Sequence, residues 1–191
     1  MAKLDLRSGL ERLTYALIII LVATMGAWIT AMILKLQPED FIAVHLGTAS
    51  RLIFRLCASF CGVLGFSIMF NSSIPMASTA AMIGAVANTL RLSLIDFTGM
   101  PAAAFTGALA AGLLASLIKK NNGYPRISLT VPSIVIMVPG LYFYRGFYNL
   151  GVMSLNEAVS WLAAAILIVV ALPLGLIFAR IFTDRTFRYC T

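Results

Sequence analysis

Two patterns in this chain place polar chemistry where its surroundings are apolar. The first is "VPSIVIMVPGLYFYRG" (131–146). Pro139 has no N–H to give the carbonyl of Val135, and its ring crowds that turn. Pro132 does the same to the carbonyl of Ser128. The two prolines are seven apart and so fall on nearly one helical face. Gly140 has no side chain and admits another backbone or a ligand. Carbonyls freed in this way would accept an ammonium or a hydroxyl, and Arg145 would attract a carboxylate. A proline kink in a membrane helix is often only structural. Broken helices at mid-depth are also how transporters offer backbone groups to small polar solutes. Both readings stand on these residues.

The second pattern is Asn88 with Arg91, three residues apart in an apolar run. Residues at that spacing share a helix face. A buried amide needs a partner, and such a bond between membrane helices is worth about 1 kcal/mol. Asn88 therefore reads equally as glue or as a solute contact. An arginine at the bilayer centre costs about 2.5–3.5 kcal/mol, and less near the interface. Arg91 either snorkels out, pairs with Asp96, or lines a pathway, and Arg145 poses the same choice.

Other chemistry is poorly represented. The spans contain no G-x-S-x-G sequence, no Cys–His pair and no His/Asp/Glu cluster, so no catalytic residue is assigned and the chain does not read as an enzyme. No G-x-x-x-x-G-K-[ST] phosphate loop occurs. The histidine is His45 and the cysteines are Cys57, Cys61 and Cys190, which is too few ligands for a metal site. No cofactor is expected. Cys57 and Cys61 share a helical face and read as small apolar packing residues.

The elements that must position these groups are membrane helices. The chain has 191 residues, 61% hydrophobic and only 11% charged. That excess exceeds what one soluble core holds. Six apolar segments approach the roughly 20 residues needed to cross a bilayer: near 13–34, 52–70, 76–95, 101–118, 127–148 and 156–179. Backbone groups in lipid need internal partners, so the expected fold is an all-α, polytopic bundle with the fifth helix kinked or broken at Pro-Gly. "KLQPEDF" (35–41), "NSSIP" (71–75), "DFTGMP" (96–101) and "KKNNGYPR" (119–126) separate the segments. Pro75 and Pro101 suit first helical turns, and "SLNE" (154–157) has the form of a capping box. Segment 38–50 is too polar to span. It either lies on the membrane surface or extends the second helix. The first run, with Asp5 and Glu11 before it and no cleavage pattern after, reads as a retained helix rather than a signal peptide.

Small residues make the expected packing seams. Ala77, Ala81 and Gly84 form one stripe that continues into Asn88 and Arg91. Ala104, Ala108, Ala111 and Ala115 form another. The net charge of +7 lies between apolar runs and acts as a topology signal, which argues against nucleic-acid binding. With six spans, Lys3, Arg7, Arg12, Lys119, Lys120, Arg126, Arg180, Arg185 and Arg188 fall on one side. Lys35, Arg51, Arg55, Arg91 and Arg145 fall on the other. Positive residues collect inside, so both termini are expected in the cytoplasm, with the protein in a bacterial inner membrane.

"VPSIVIMVPGLYFYRGFYNL" (131–150), preceded by a small-residue helix and the basic loop "IKKNNGYPR", resembles the proline-glycine signature of the threonine/serine exporter family. The resemblance covers roughly residues 52–182 and is most specific at Pro132, Pro139-Gly140 and Tyr144-Arg145. It is to the small, YjjB-like membrane subunit of the family's split form. It implies a five-helix exporter domain (52–191) behind an added N-terminal helix and connecting segment (1–51). It also implies secondary export of threonine, serine or a dicarboxylate such as succinate, and a larger membrane subunit as partner or a homo-oligomer. The expected pathway residues are Asn88, Arg91, Pro132, Pro139, Gly140 and Arg145. A membrane scaffold without a route of its own is the rival reading.

Overall fold

A computed structural model describes residues 6–35 and 47–184. They form seven helices: α1 (Leu6–Ile33), α2 (Thr48–Met69), α3 (Ile74–Thr98), α4 (Met100–Asn122), α5 (Arg126–Val135), α6 (Gly140–Gly151) and α7 (Leu155–Thr183). No strand occurs among the described residues. Six stretches are long and apolar enough to span a membrane, with α5 and α6 together making one of them, Arg126–Gly151. The protein is a multi-pass helical membrane protein.

The helix ends follow local chemistry. Pro75 occupies the first turn of α3 behind Ser73, where a missing N–H costs nothing because that donor has no intrahelical partner. Asn71, with φ of 58°, provides the left-handed turn after α2, a conformation asparagine tolerates better than most residues. Several boundaries move from those expected: α1 begins at Leu6 rather than near 13 and α7 runs to Thr183 rather than near 179, and two further shifts have a local reason. The loop expected at 119–126 is helical through Asn122, and the helix stops only at Gly123, whose φ is 68°. Apolar content ends at Ile118, but a helix continues until a residue can take the left-handed turn. The second helix begins at Thr48 rather than near 52, so the last part of segment 38–50 extends it. His45, Cys190 and residues 36–46 lie outside the described residues.

The fold divides into two compact units, with divisions at Pro139/Gly140 and within α7. One contains α2 to α5 and α7 from Ala164 onward. The other contains α1, α6 and the beginning of α7.

The core of the α2–α5 unit is built of very small residues. Ala77, Ala80, Ala81, Ala87, Ala104, Ala108, Ala111 and Ala115 are fully buried. Apolar burial gives membrane helices little reason to associate, so close approach of backbones does that work. A methyl group on Gly84 would lie 2.6 Å from Val63 and 3.1 Å from the Ser133 backbone, which shows how closely α2 and α5 approach α3. The α4–α7 contact is closer still. A methyl on Gly175 would lie 2.6 Å from the Phe105 carbonyl oxygen, and one on Gly112 2.5 Å from Ala179. Ala108 and Gly112 face Gly175 and Ala179, a small-residue pair at four-residue spacing on each helix.

The other unit shows the same economy. Gly151 lies against the Trp28 ring of α1, where an added methyl would fall 2.7 Å away, and Gly146 lies against Leu162 of α7. Most of α1 is uncovered, with Ile19, Val22 and Ile33 all exposed, as expected of a helix facing acyl chains.

Candidate functional site

α3 carries its polar residues inward. Asn88 and Arg91 are both buried, each 6% exposed. The Asn88 amide nitrogen donates to Ser59 Oγ of α2 at 2.8 Å. Arg91 Nη1 donates to Asn88 Oδ1 at 3.5 Å, a long contact. The orientation of the amide follows from its neighbours. Arginine can only donate, so the Asn88 oxygen must face Arg91 and its nitrogen must face the serine hydroxyl. Arg91 therefore turns into the unit instead of snorkelling out. Asp96, the partner considered for it, is exposed. Nearby, Arg55 Nη1 reaches across from α2 to the Leu92 carbonyl at 3.3 Å.

The helix break meets this polar chain at Gly107 of α4. A methyl there would lie 3.0 Å from Arg91 Cβ, 3.2 Å from Met137 Sδ and 3.3 Å from the Ala87 carbonyl oxygen. The stem of Arg91 and a residue of the 136–139 interruption thus converge on one glycine. Ser133 adds a second tie between α5 and α3. Its hydroxyl lies 2.9 Å from the Ala80 carbonyl oxygen and 2.6 Å from that of Leu129. It has a single proton, so it serves one of them at a time.

Two carbonyls at the end of α5 find donors within the interruption. α5 ends at Val135 and α6 begins at Gly140. Met137 N–H donates to the Ile134 carbonyl at 2.9 Å, and Val138 N–H to the Val135 carbonyl at 3.1 Å. The Val135 carbonyl, expected to be left bare by Pro139, is engaged instead. The last turn tightens to three-residue bonds, a common closure for orphan carbonyls at a helix end. Pro132, Ser133, Met137 and Pro139 are all fully buried.

Of the six residues expected to line a pathway, the structure gathers Asn88, Arg91, Pro132 and Pro139 in the α2–α5 unit. Gly140 and Arg145 belong to the other unit. Gly140 is exposed, and a methyl there would meet nothing within 4 Å. The Arg145 guanidinium sits 4.8 Å from the centroid of the Trp161 ring, with Tyr142 5.6 Å from the same ring. A cation over an indole face is stabilised by about 0.5–2 kcal/mol, according to its desolvation.

The packing residues Ala77, Ala81, Gly84, Ala104 and Ala108 are all buried. Cys57 and Cys61, expected to be packed, are exposed. With Leu56, Phe60, Met82, Ala85 and Val86 they line an apolar groove of about 340 Å³ between α2 and α3. The face they share is the outward one, because Ser59, Val63 and Ser67 take the buried face of α2. No group of three metal-ligating side chains comes together among the described residues.

Among the contributors that escaped the sequence reading are Ser59, Gly107 and Met137. Two had a legible signal. Ser59, Val63 and Ser67 recur every four residues, and Gly107 falls on the stripe of Ala104, Ala108 and Ala111. Met137 had none, since nothing in the sequence shows which residue of a helix break turns inward.

A buried asparagine–arginine pair packs against an interrupted helix, and comparison with protein families decides the chain's kinship. The model of the family described as Threonine/Serine exporter, ThrE, matches residues 55–182. The chain belongs to the threonine/serine exporter family. Searches of curated proteins and of solved structures gave no match. The family assignment runs from within α2 through nearly all of α7 and leaves α1 outside. Membership places the chain among membrane transporters. The buried polar residues on α3 and the interruption before α6 both lie inside the matched region.

Proposed function

We propose that this exporter-family chain is the membrane component of a secondary exporter for threonine, serine or a similar small carboxylated solute. Residues 52–191 would form the exporter domain and residues 1–51 an added anchor. The protein would sit in a bacterial inner membrane with both termini in the cytoplasm, acting with a larger family subunit or as a homo-oligomer. The observation that supports this most is the convergence of Arg91 and Met137 on Gly107, next to the buried Asn88–Ser59 bond.

The proposed chemistry is simple. Arg91 supplies a positive charge for a carboxylate, and Asn88 supplies a donor and an acceptor. Pro132, Met137 and Pro139 are closed over by protein, so passage requires α5 to part from α3 and α4. Gly84 and Gly107 are the points where that parting begins. Gly140 and Arg145, which belong to the other unit, are proposed as solute-contacting residues in their own right.

The same closure favours a second reading, a membrane assembly subunit whose interrupted helix is only a packing feature. Efflux from proteoliposomes separates the two. The chain is reconstituted alone and with a larger subunit of the same family, and loss of labelled threonine, serine and succinate is followed. Transport of one solute, reduced at least tenfold by Arg91→Ala in folded protein, supports the exporter. An assembly subunit would give no efflux in any combination, or efflux indifferent to Arg91.

A further inference from the structure

Away from the Asn88–Arg91 cluster, a second polar feature lies at one end of the α2–α5 unit. A groove of about 370 Å³ runs between α5 and α7, lined by Arg126, Ile127, Thr130, Leu176, Ile177, Arg180 and Asp184. Arg126 is held in place. Its Nη1 donates to Thr183 Oγ1 at 3.0 Å and its Nη2 to the Gly112 carbonyl at 3.3 Å. Those two bonds fix the plane of the guanidinium with two of its five donors. Arg180 Nε lies 3.7 Å from Asp184 Oδ2. Two guanidinium groups and one carboxylate leave the groove one positive charge.

The groove is also amphiphilic, and its polar end sits at a definite depth. Arg126 is the first residue of one membrane span and Thr183 the last of another, which is where headgroups meet the hydrocarbon. From there the wall continues along Ile127 and Ile177, both exposed, toward the interior of the span. A free anion has no use for that aliphatic wall. A lipid does, since its chain lies along the isoleucines while its phosphodiester takes the charge.

We propose that this groove binds the phosphate of an acidic phospholipid, with Arg126 and Arg180 on the phosphate oxygens and one acyl chain along Ile127 and Ile177. Basic pockets between membrane helices on the cytoplasmic side recognise anionic headgroups in this way, and arginine forks match phosphate oxygens. The site is separate from the proposed solute route and stands whether or not the chain transports.

The test uses the full chain in detergent. Native mass spectrometry with added phosphatidylglycerol or phosphatidylcholine should show at least a tenfold preference for the anionic lipid. In Arg126→Gln/Arg180→Gln the preference should fall to twofold or less, while Lys35→Gln keeps it. In unaltered protein, phosphatidylglycerol with a photoreactive acyl chain should crosslink to peptides containing residues 126–130 and 176–180. Inorganic phosphate at the lipid's concentration should leave the lipid in place. Crosslinks confined to other helices, a preference that survives the double substitution, or displacement by inorganic phosphate would each overturn the proposal.

Discussion

Asn88 shows how one polar residue is tied into an apolar unit. Its amide joins Ser59 of α2 to Arg91 of its own helix. Asn88→Ala should lower stability by about 1 kcal/mol, the scale of interhelical bonds in membranes. Ser59→Ala should do the same, and the double variant should lose less than the sum, because the two groups share one bond. Equilibrium unfolding of the three variants in mixed micelles measures this. Arg91 differs because its burial carries a charge. If Arg91 serves a carboxylate, Arg91→Lys should retain part of the efflux and Arg91→Met none, with both proteins folded. Equal efflux from the lysine and methionine variants would remove the charge from the mechanism.

At the level of elements, two kinds of glycine make opposite predictions. Gly112 and Gly175 let α4 and α7 touch, with a methyl on Gly175 reaching 2.6 Å from backbone oxygen. Backbone cannot step aside as a flexible side chain can. Gly175→Val should therefore destabilise by more than about 2 kcal/mol, within the range overpacking costs, and should show as lost monodisperse protein after purification. Gly140 begins α6 in open space. Gly140→Leu should express and fold as the unaltered chain does. A fall in its efflux would then report a residue on the route, and unchanged efflux would remove Gly140 from it. Pro139→Ala is a poorer probe, because it restores a donor to a carbonyl that Val138 already serves.

For the whole molecule, the prediction concerns topology. If all six candidate stretches cross, both ends of the chain lie on one face of the membrane, and the basic residues choose which face. Reporter fusions at the two termini should give the same cytoplasmic signal. Moving the excess by replacing Lys119, Lys120 and Arg126 with glutamine should increase the fraction inserted in the opposite sense. Termini reporting from opposite sides would mean that one of the six candidate stretches does not cross.

Composition and run length alone determined that this is an all-helical membrane protein with six candidate spans, because lipid leaves the backbone no alternative to internal hydrogen bonds. The small-residue stripes on α3 and α4 were legible for a related reason, since close helix approach in lipid needs residues such as Ala77, Gly84 and Ala108. The proline–glycine stretch located the interruption and led to the family. Tertiary structure decided where each side chain goes. It turned Arg91 inward onto Asn88 and gave Val135's carbonyl a new donor. It also left Cys57 and Cys61 on the outer face of α2. Periodicity gives the face of a helix, but which face is inside depends on neighbours distant in the chain: Ser59 for Asn88, Gly107 for Arg91, Thr183 for Arg126.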